Sequence, residues 1–364
     1  MIKKLTFLDY LKKGKKINLE IAIDYTSTNK SYHFINKRIP NDYDKVISDC
    51  CSIVSPYDED QLFPVYGFGG IPPNNNGKVS HIFNINFEDE PEIKGFDQII
   101  PTYKKSLKQI KLGNPCYFAP LLKSVYDRIK ENYEINNPEY IDHYFILMIL
   151  TNGIINDLKD TIDILIDCSY IPLSVIIIGI GDGDFSNMDK LDGDEELLVS
   201  SKGEIRKRDL VQFVKYNKFK GDIIEGKKEL KDEVLKEIPR QVEEYYELME
   251  NQIFEKNNEK NNIQQNTEID SKSIDYLNFS KIKFYDTFNN NNNQNQYQNQ
   301  YQKQYQNQNQ TKLINLKMNE TNYGKKNMKP NLSNEYIAKN FLNNINIGQK
   351  RISSSKNLNE YNNN

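Results

Sequence analysis

Three oxygen-bearing side chains stand at alternate positions near the amino terminus: Asp24, Thr26 and Thr28. They follow Ile21-Ala22-Ile23, an unbroken apolar run typical of a strand buried on both faces. Because open α/β sheets bind ligands at the carboxyl ends of their strands, these side chains would face a ligand. One carboxylate and two hydroxyls suit a hard cation such as Mg²⁺. A simpler interpretation makes Asp24 a turn residue that accepts hydrogen bonds from nearby backbone amides.

A stretch rich in glycine and aspartate, Gly179-Ile180-Gly181-Asp182-Gly183-Asp184, matches no ligand-binding pattern. It lacks the GxGxxG spacing, and its carboxylates would repel a pyrophosphate. An EF-hand beginning at Asp182 would need glycine at its sixth position, where the chain has Asn187. We therefore predict a solvated acidic loop from Asp182 to Asp194.

Sequence patterns of catalysis do not occur in the chain. The histidines His33, His81 and His143 have no spacing suited to zinc. Neither GxSxG nor a Walker A sequence is found. Asp24 as a nucleophile would want a second carboxylate two residues later, where Thr26 stands. The sequence predicts that the protein is not an enzyme.

Short apolar segments alternate with segments of helical periodicity over about the first 250 residues. The predicted strands are Ile17–Asp24, Leu62–Phe68, Val79–Ile85, Tyr144–Thr151, Leu173–Gly179 and Leu210–Val214. The predicted helices are Asp42–Ser55, Pro101–Ile110, Phe118–Tyr133, Asn156–Cys168 and Lys228–Met249. Asn156 is the expected cap of its helix, and Pro239 should kink or break the last one. This alternation favours an open, mostly parallel, doubly wound α/β sheet. The link Gly69–Lys78 reads as a hairpin connection, so we expect one antiparallel edge strand.

The cysteines and the first residues of the chain indicate a reducing compartment. The cysteines Cys50, Cys51, Cys116 and Cys168 have no metal-type spacing, and residues 1–16 lack the apolar core of a secretory signal. Reduced thiols are typical of a cytosolic protein, so we predict a cytoplasmic location. The longest apolar run, about Ile171–Ile180, is half the length of a membrane span. We expect no direct membrane binding and no nucleic-acid partner.

The carboxyl-terminal part, residues 255–364, differs sharply from the rest. Asn289–Gln310 is almost entirely Asn, Gln and Tyr, which predicts a disordered, low-complexity tail. Residues 281–364 hold twelve basic and four acidic residues, whereas residues 1–280 have a net charge of −11. An acidic head with a basic tail could self-associate, and a tail-driven assembly or scaffold protein is therefore the alternative function.

Several landmarks in one order resemble the copine domain, a branch of the von Willebrand factor A-type fold. They begin with Phe7-Leu8-Asp9-Tyr10, Ile23-Asp24-Tyr25-Thr26-Ser27-Thr28-Asn29 and His33-Phe34-Ile35-Asn36. They continue with Phe63-Pro64-Val65-Tyr66-Gly67-Phe68-Gly69, Val79-Ser80-His81, Phe118-Ala119-Pro120, Leu173-Ser174-Val175-Ile176-Ile177-Ile178-Gly179-Ile180-Gly181, Arg208-Asp209-Leu210-Val211-Gln212-Phe213-Val214 and Glu237-Ile238-Pro239. The resemblance implies a von Willebrand factor A-like domain over residues 1–254.

The resemblance also implies a metal-ion-dependent adhesion site built from five positions. Asp24, Thr26 and Thr28 match its first turn, Cys116 falls where the family has a threonine, and Asn152 where it has an aspartate. Asn152 removes a negative charge, and the soft sulfur of Cys116 is a poor ligand for Mg²⁺. We predict a degenerate site at which Mg²⁺ binding is weak or absent.

A copine-type domain implies protein–protein recognition rather than catalysis. The partner is expected at the surface around Asp24, Thr26, Thr28 and Asn152. Full copines carry two calcium-dependent lipid-binding domains before this one, and we expect none here because the sequence starts at the copine-like part.

Overall fold

The computed structural model describes residues 4–264, apart from residues 37, 74, 135–136, 138–139, 195–196 and 220–222. The predicted disordered tail lies outside the described residues from position 265 onward.

A mostly parallel sheet forms the centre of the described part of the chain. The strands of the described residues are β1 (Lys16–Asp24), β2 (Leu62–Phe68), β3 (Gly70–Ile71), β4 (Phe83–Asn84), β5 (Glu92–Lys94), β6 (Lys111–Leu112), β7 (His143–Thr151), β8 (Leu173–Gly179) and β9 (Val211–Lys215). The order in the main sheet is β4-β2-β1-β7-β8-β9, and β5 also pairs with β2. The four contacts among β2, β1, β7, β8 and β9 are parallel, whereas β4 and β5 run antiparallel to β2. The predicted parallel sheet with an antiparallel edge is confirmed, and that edge consists of two short strands.

Helices connect the strands and cover the sheet. Within the described part of the chain they are α1 (Phe7–Lys12), α2 (Asp42–Val46), α3 (Ser52–Val54), α4 (Ile99–Leu107), α5 (Ala119–Glu134), α6 (Leu158–Cys168), α7 (Ser186–Asp192), α8 (Ile223–Val234) and α9 (Ile238–Gln264). A π-helical turn, Ile47–Cys51, joins α2 to α3. No described helix has the length and apolar character needed to cross a membrane.

Three sequence predictions need correction, and one helix was not predicted. The segment Val79–Ile85 is a strand only at Phe83–Asn84. The edge of β2 pairs with this short strand over one part of its length and with β5 over the other. The acidic stretch predicted as a loop contains α7, and α1 was not predicted at all. The cap of α6 is Asp157 rather than Asn156.

The predicted break before Pro239 is confirmed, since α8 ends at Val234 and α9 begins at Ile238. Proline tolerates the first turn of a helix, where its missing N–H has no intrahelical partner. Helix α9 continues to Gln264, past the predicted domain limit at 254. The predicted division into a folded domain over residues 1–254 and a tail over residues 255–364 stays a prediction.

The central strands are buried on both faces, as their continuous hydrophobicity predicts. Ile21, Ala22 and Ile23 of β1 have no exposed surface. Glu20 of β1 is also buried, at 1% exposed, and pairs with Arg128 of α5. Burying an unpaired carboxylate would be strongly unfavourable, so the guanidinium makes this charge tolerable in the core.

Candidate functional site

The carboxyl edge of the sheet brings together the loops that carry the predicted site. Because β1 and β7 are parallel and pair Ile23 with Leu150, the residues that follow each strand emerge side by side. The loop before α5 joins them through Gly113, whose carbonyl accepts from the Ser27 N–H at 2.7 Å. All three segments named by the sequence analysis therefore meet at one edge.

Asp24 is the buried centre of this edge. Its side chain has no exposed surface. Its Oδ1 accepts from the Thr26 backbone N–H at 2.9 Å, and its Oδ2 accepts from the Thr151 hydroxyl at 2.8 Å. The Cys116 thiol lies 3.6 Å from the same Oδ2. Three of the roughly four lone-pair positions of the carboxylate are thus occupied by protein donors.

Burial dominates the electrostatics of this carboxyl group. Removal from water raises the pKa of Asp24 above its usual range, and the hydrogen bonds from Thr26, Thr151 and Asn29 offset part of that rise. The same burial, with the neighbouring charge of Asp24, raises the pKa of the Cys116 thiol. Cys116 is therefore a neutral S–H donor and not a thiolate ligand.

The two threonines of the turn have different environments. Thr26 is fully buried, and its Oγ1 accepts from Asn29 Nδ2 at 3.0 Å and lies 2.9 Å from Thr28 Oγ1. Thr28 is exposed. Gly69 covers Thr26 from below: a Cβ on this glycine would lie 2.3 Å from Thr26 Cγ2. Only Thr28 of the pair presents its hydroxyl to solvent.

Asn152, the expected third-loop position, lies beside the centre without a described bond to it. Its Oδ1 accepts from the Ile154 N–H at 3.3 Å, and 8% of the residue is exposed. The contact with Asp24 comes instead from Thr151, whose Oγ1 also accepts from the Gly153 N–H at 3.1 Å. The sequence analysis placed Asn152 at the third-loop position of the site and did not identify Thr151, the residue that donates to Asp24.

A buried aromatic group supports the site from beneath and was missed by the sequence analysis. His33 Nε2 lies 2.8 Å from the Asp24 carbonyl oxygen, and His33 Nδ1 lies 2.8 Å from the Tyr103 hydroxyl. A carbonyl only accepts, so Nε2 carries the proton and Tyr103 donates to Nδ1. The Tyr43 hydroxyl donates to Asn29 Oδ1 at 2.8 Å, and His33 stacks on Tyr43 at 4.1 Å between ring centroids.

This aromatic group holds the backbone of the turn through hydrogen bonds to the Asp24 carbonyl and to Asn29. Burial lowers the pKa of His33 to about 4, so the ring is neutral near pH 7. His33-Phe34-Ile35-Asn36 stood among the family landmarks, but nothing in the sequence joins His33 to Asp24.

Asn156 and Asp157 tie the loop before α5 to the loop after β7. Asn156 Oδ1 accepts from the Cys116 N–H at 2.9 Å. The two oxygens of Asp157 accept from the Phe118 and Ala119 N–H groups at 3.0 and 2.8 Å. A carboxylate at the amino end of a helix is favoured by the helix dipole, so Asp157 stabilises the start of α5.

The donors at this edge fit Mg²⁺ poorly. Mg²⁺ wants oxygen ligands in near-ideal octahedral geometry, usually with carboxylates among them. Asp24 supplies the one carboxylate of the five expected positions; the others offer two hydroxyls, a thiol and an amide. Asp24 is already hydrogen-bonded, and one lone pair of Thr26 Oγ1 is taken by Asn29.

A different cluster has carboxylates close enough to share a cation. Among the described residues, Asp194, Asp209 and Glu237 have oxygens within 4.8 Å of one another. Arg206 and Arg240 already pair with Asp209, at 2.8 and 2.6 Å. These guanidinium groups supply the positive charge that the acidic cluster requires.

The comparison with family models shows which family the chain belongs to. The copine family model matches residues 31–257. This chain belongs to the copine family. The matched part of the copine domain contains Cys116 and Asn152 but begins after the turn of Asp24, Thr26 and Thr28.

Among solved structures, the copine domain is similar to the manganese-loaded TRAP protein of Plasmodium vivax. The two chains are 12% identical, with a TM-score of 0.35, over 56% of this chain and 70% of the other. At this distance the manganese is a property of that protein alone.

Proposed function

We propose that this copine domain is a protein-interaction module whose partner binds the carboxyl edge of the sheet without a tightly held cation. The site is the predicted one around Asp24, Thr26, Thr28 and Asn152; Asp24 and Thr26 are fully buried, so Thr28 is the member of the turn that a partner can touch. No catalytic residue is part of the proposal.

The hydrogen bonds that protein groups already donate to Asp24 support recognition without a bound metal ion. The carboxylate is buried and hydrogen-bonded to Thr26 and Thr151, so a cation would have to displace protein donors. Changes in groups around a metal typically cost about 10–100-fold in affinity, and Cys116 and Asn152 stand at expected ligand positions themselves. We therefore propose that Mg²⁺ binds weakly or not at all at physiological concentration.

The exposed side chains at the rim are what a partner can reach. Thr28 and Ser27 are exposed, and Asn114 donates to Ser27 Oγ across the two loops. Ile154, two residues beyond Asn152, is 43% exposed. A rim of neutral hydrogen-bonding groups beside an aliphatic side chain is typical of a protein-binding surface.

A matched pair of surface substitutions tests the location. Ile154→Arg places a charge at the carboxyl edge, whereas Leu62→Arg places it at the opposite end, where β2 begins and Leu62 is 39% exposed. Both avoid the buried centre, so both variants should fold as the wild type does. Affinity capture with quantitative mass spectrometry is performed for each, with Mg²⁺ and with EDTA.

The proposal expects partners that Ile154→Arg loses, Leu62→Arg keeps, and EDTA leaves unchanged. Equal partner sets for the two variants would place the interaction elsewhere. Partners lost in EDTA, in a manner restored by Mg²⁺, would contradict the metal-independent part.

A further inference from the structure

The loop that follows the site turn has an unusual surface. We call residues 30–39, apart from residue 37, the basic–apolar loop. Phe34 is 69% exposed, Ile39 is 62% exposed and Ile35 is 41% exposed. Single exposed apolar residues are common on protein surfaces, but three within six positions of one loop indicate a contact surface.

The charge of the basic–apolar loop is opposite to that of the domain around it. Lys30 and Arg38 are exposed, and neither forms an ion pair with a described residue. The sequence has no acidic residue from position 30 to position 41, whereas residues 1–280 have a net charge of −11. The loop is therefore a cationic island that favours an anionic partner.

The loop is fixed directly to the site. Its backbone begins as a continuation of the turn, with the Tyr32 and His33 N–H groups both donating to the Asn29 carbonyl at 3.0 and 3.1 Å. The His33 ring is held at Asp24 by the 2.8 Å contact described above, which places Phe34 one residue from the site. A Cβ on Gly181 would lie 2.1 Å from the Tyr32 hydroxyl, so Tyr32 packs tightly on the loop after β8.

Two acidic side chains follow the glycine against which Tyr32 packs, and they limit how an anionic partner can lie. Asp182 and Asp184 follow Gly181 and are exposed. Asp182 accepts from Asn217, a neutral amide, so its charge is not cancelled by that contact. These carboxylates repel an anionic segment near Tyr32, whereas Lys30 and Arg38 attract one.

We propose that the basic–apolar loop binds an acidic peptide segment of a partner protein. Carboxylates of that segment pair with Lys30 and Arg38, and an aromatic or aliphatic side chain packs on Phe34 and Ile39. This inference rests on the proposed function, since it names the chemistry of the partner that binds this edge. The cationic loop supplies the positive charge that the degenerate metal position lacks.

An anionic membrane is the other occupant that basic and apolar side chains attract. A membrane is a broad surface that would face the net negative charge of the domain and the exposed carboxylates of Asp182 and Asp184, whereas a short peptide can lie against Lys30 and Arg38 alone. The charge distribution therefore favours the peptide.

Peptide selection tests the proposal on the full chain. A library of random twelve-residue peptides on phage is selected against the wild type, the Lys30→Glu/Arg38→Glu variant and the Phe34→Ser/Ile39→Ser variant. Lys202→Glu/Lys207→Glu is the control, because it makes the same charge change beside the exposed aliphatic residues Val199 and Ile205. The most enriched peptide is then synthesised and its affinity measured by fluorescence anisotropy.

Wild type and control are expected to select peptides rich in Asp and Glu with an aromatic or aliphatic residue. The charge-reversed variant should bind the synthesised peptide about tenfold more weakly. Added NaCl should weaken wild-type binding, because salt screens exposed charges. Peptides without acidic enrichment, or equal binding by the charge-reversed variant, would overturn the inference.

Two further measurements separate this inference from the proposed function. Cosedimentation with phosphatidylserine vesicles that depends on Lys30 and Arg38, with no acidic peptide selected, would assign the loop to a membrane and overturn the inference. The Ile154→Arg capture experiment would still stand. Conversely, an acidic peptide bound equally by wild type and Ile154→Arg supports the loop and removes the edge around Asn152 from the partner site.

Discussion

Restoring the family residues at positions 116 and 152 should create a cation site, because the present residues are poor ligands for Mg²⁺. Cys116→Thr replaces a buried thiol with a hydroxyl, and Asn152→Asp adds a second carboxylate to the single one of Asp24. An aspartate at 152 keeps an oxygen for the Ile154 N–H, which the asparagine binds at 3.3 Å. The changes therefore alter ligand chemistry more than loop geometry.

The size of the effect follows from the number of ligands restored. If each position is worth about 10–100-fold in affinity, the two together raise it by about 10²–10⁴-fold. Titration calorimetry with Mg²⁺ and Mn²⁺ should show no binding below millimolar concentration by the protein with wild-type residues at 116 and 152, and micromolar binding by the double variant. All proteins carry Asp194→Asn, which silences the separate cluster with Asp209 and Glu237.

Two results would refute this reasoning. Micromolar binding by the Asp194→Asn background protein that disappears with Asp24→Asn would show that the existing ligands suffice. A double variant that melts cooperatively yet binds no better than its background would show that Cys116 and Asn152 do not occupy the ligand positions. Circular dichroism melting curves distinguish that second result from simple unfolding.

Three further outcomes are expected. Gly69→Ala should destabilise the fold by about 1–3 kcal/mol more than Gly77→Ala in urea denaturation, since both glycines have φ of +72° but a Cβ meets Thr26 only at Gly69. Because burial lowers the pKa of His33 to about 4, below its unfolded value of 6.5, stability should fall by about 3 kcal/mol between pH 6.5 and 4, and His33→Gln should flatten that part of the curve. Aspartate and glutamate side chains titrate in both proteins, so only the difference between the two curves of stability against pH tests the His33 ring. For the tail-driven alternative, deletion of residues 281–364 should abolish assembly in sedimentation velocity; assembly that survives the deletion would exclude the tail.

Much of the fold could be predicted because parallel strands buried on both faces have an unmistakable sequence. Leu62–Phe68 and Leu173–Gly179 were predicted at the observed residues, since apolar runs bounded by Gly, Pro or polar residues leave little choice. The helix α1 was missed although Thr6 and Asp9 form a reciprocal capping box, because the helix is only six residues long.

The site could be predicted in its location but not in its contacts. That Asp24 and the end of β7 share an edge follows from the topology of a parallel sheet. That Thr151 rather than Asn152 donates to Asp24 depends on the register of β1 and β7, which no local pattern specifies. The His33 and Tyr103 contacts likewise join residues 70 positions apart in the chain.

The hydrogen bonds of Asn156 and Asp157 couple the loop after β7 to the start of α5. Both residues hold the start of α5, and Asp157 also caps α6, so the loop after β7 and these two helices are pinned at one point. Helix α5 has 16 residues and extends about 24 Å from that point toward the opposite end of the sheet. Because these hydrogen bonds join the two segments, a displacement of the loop after β7 would move the first turn of α5 with it.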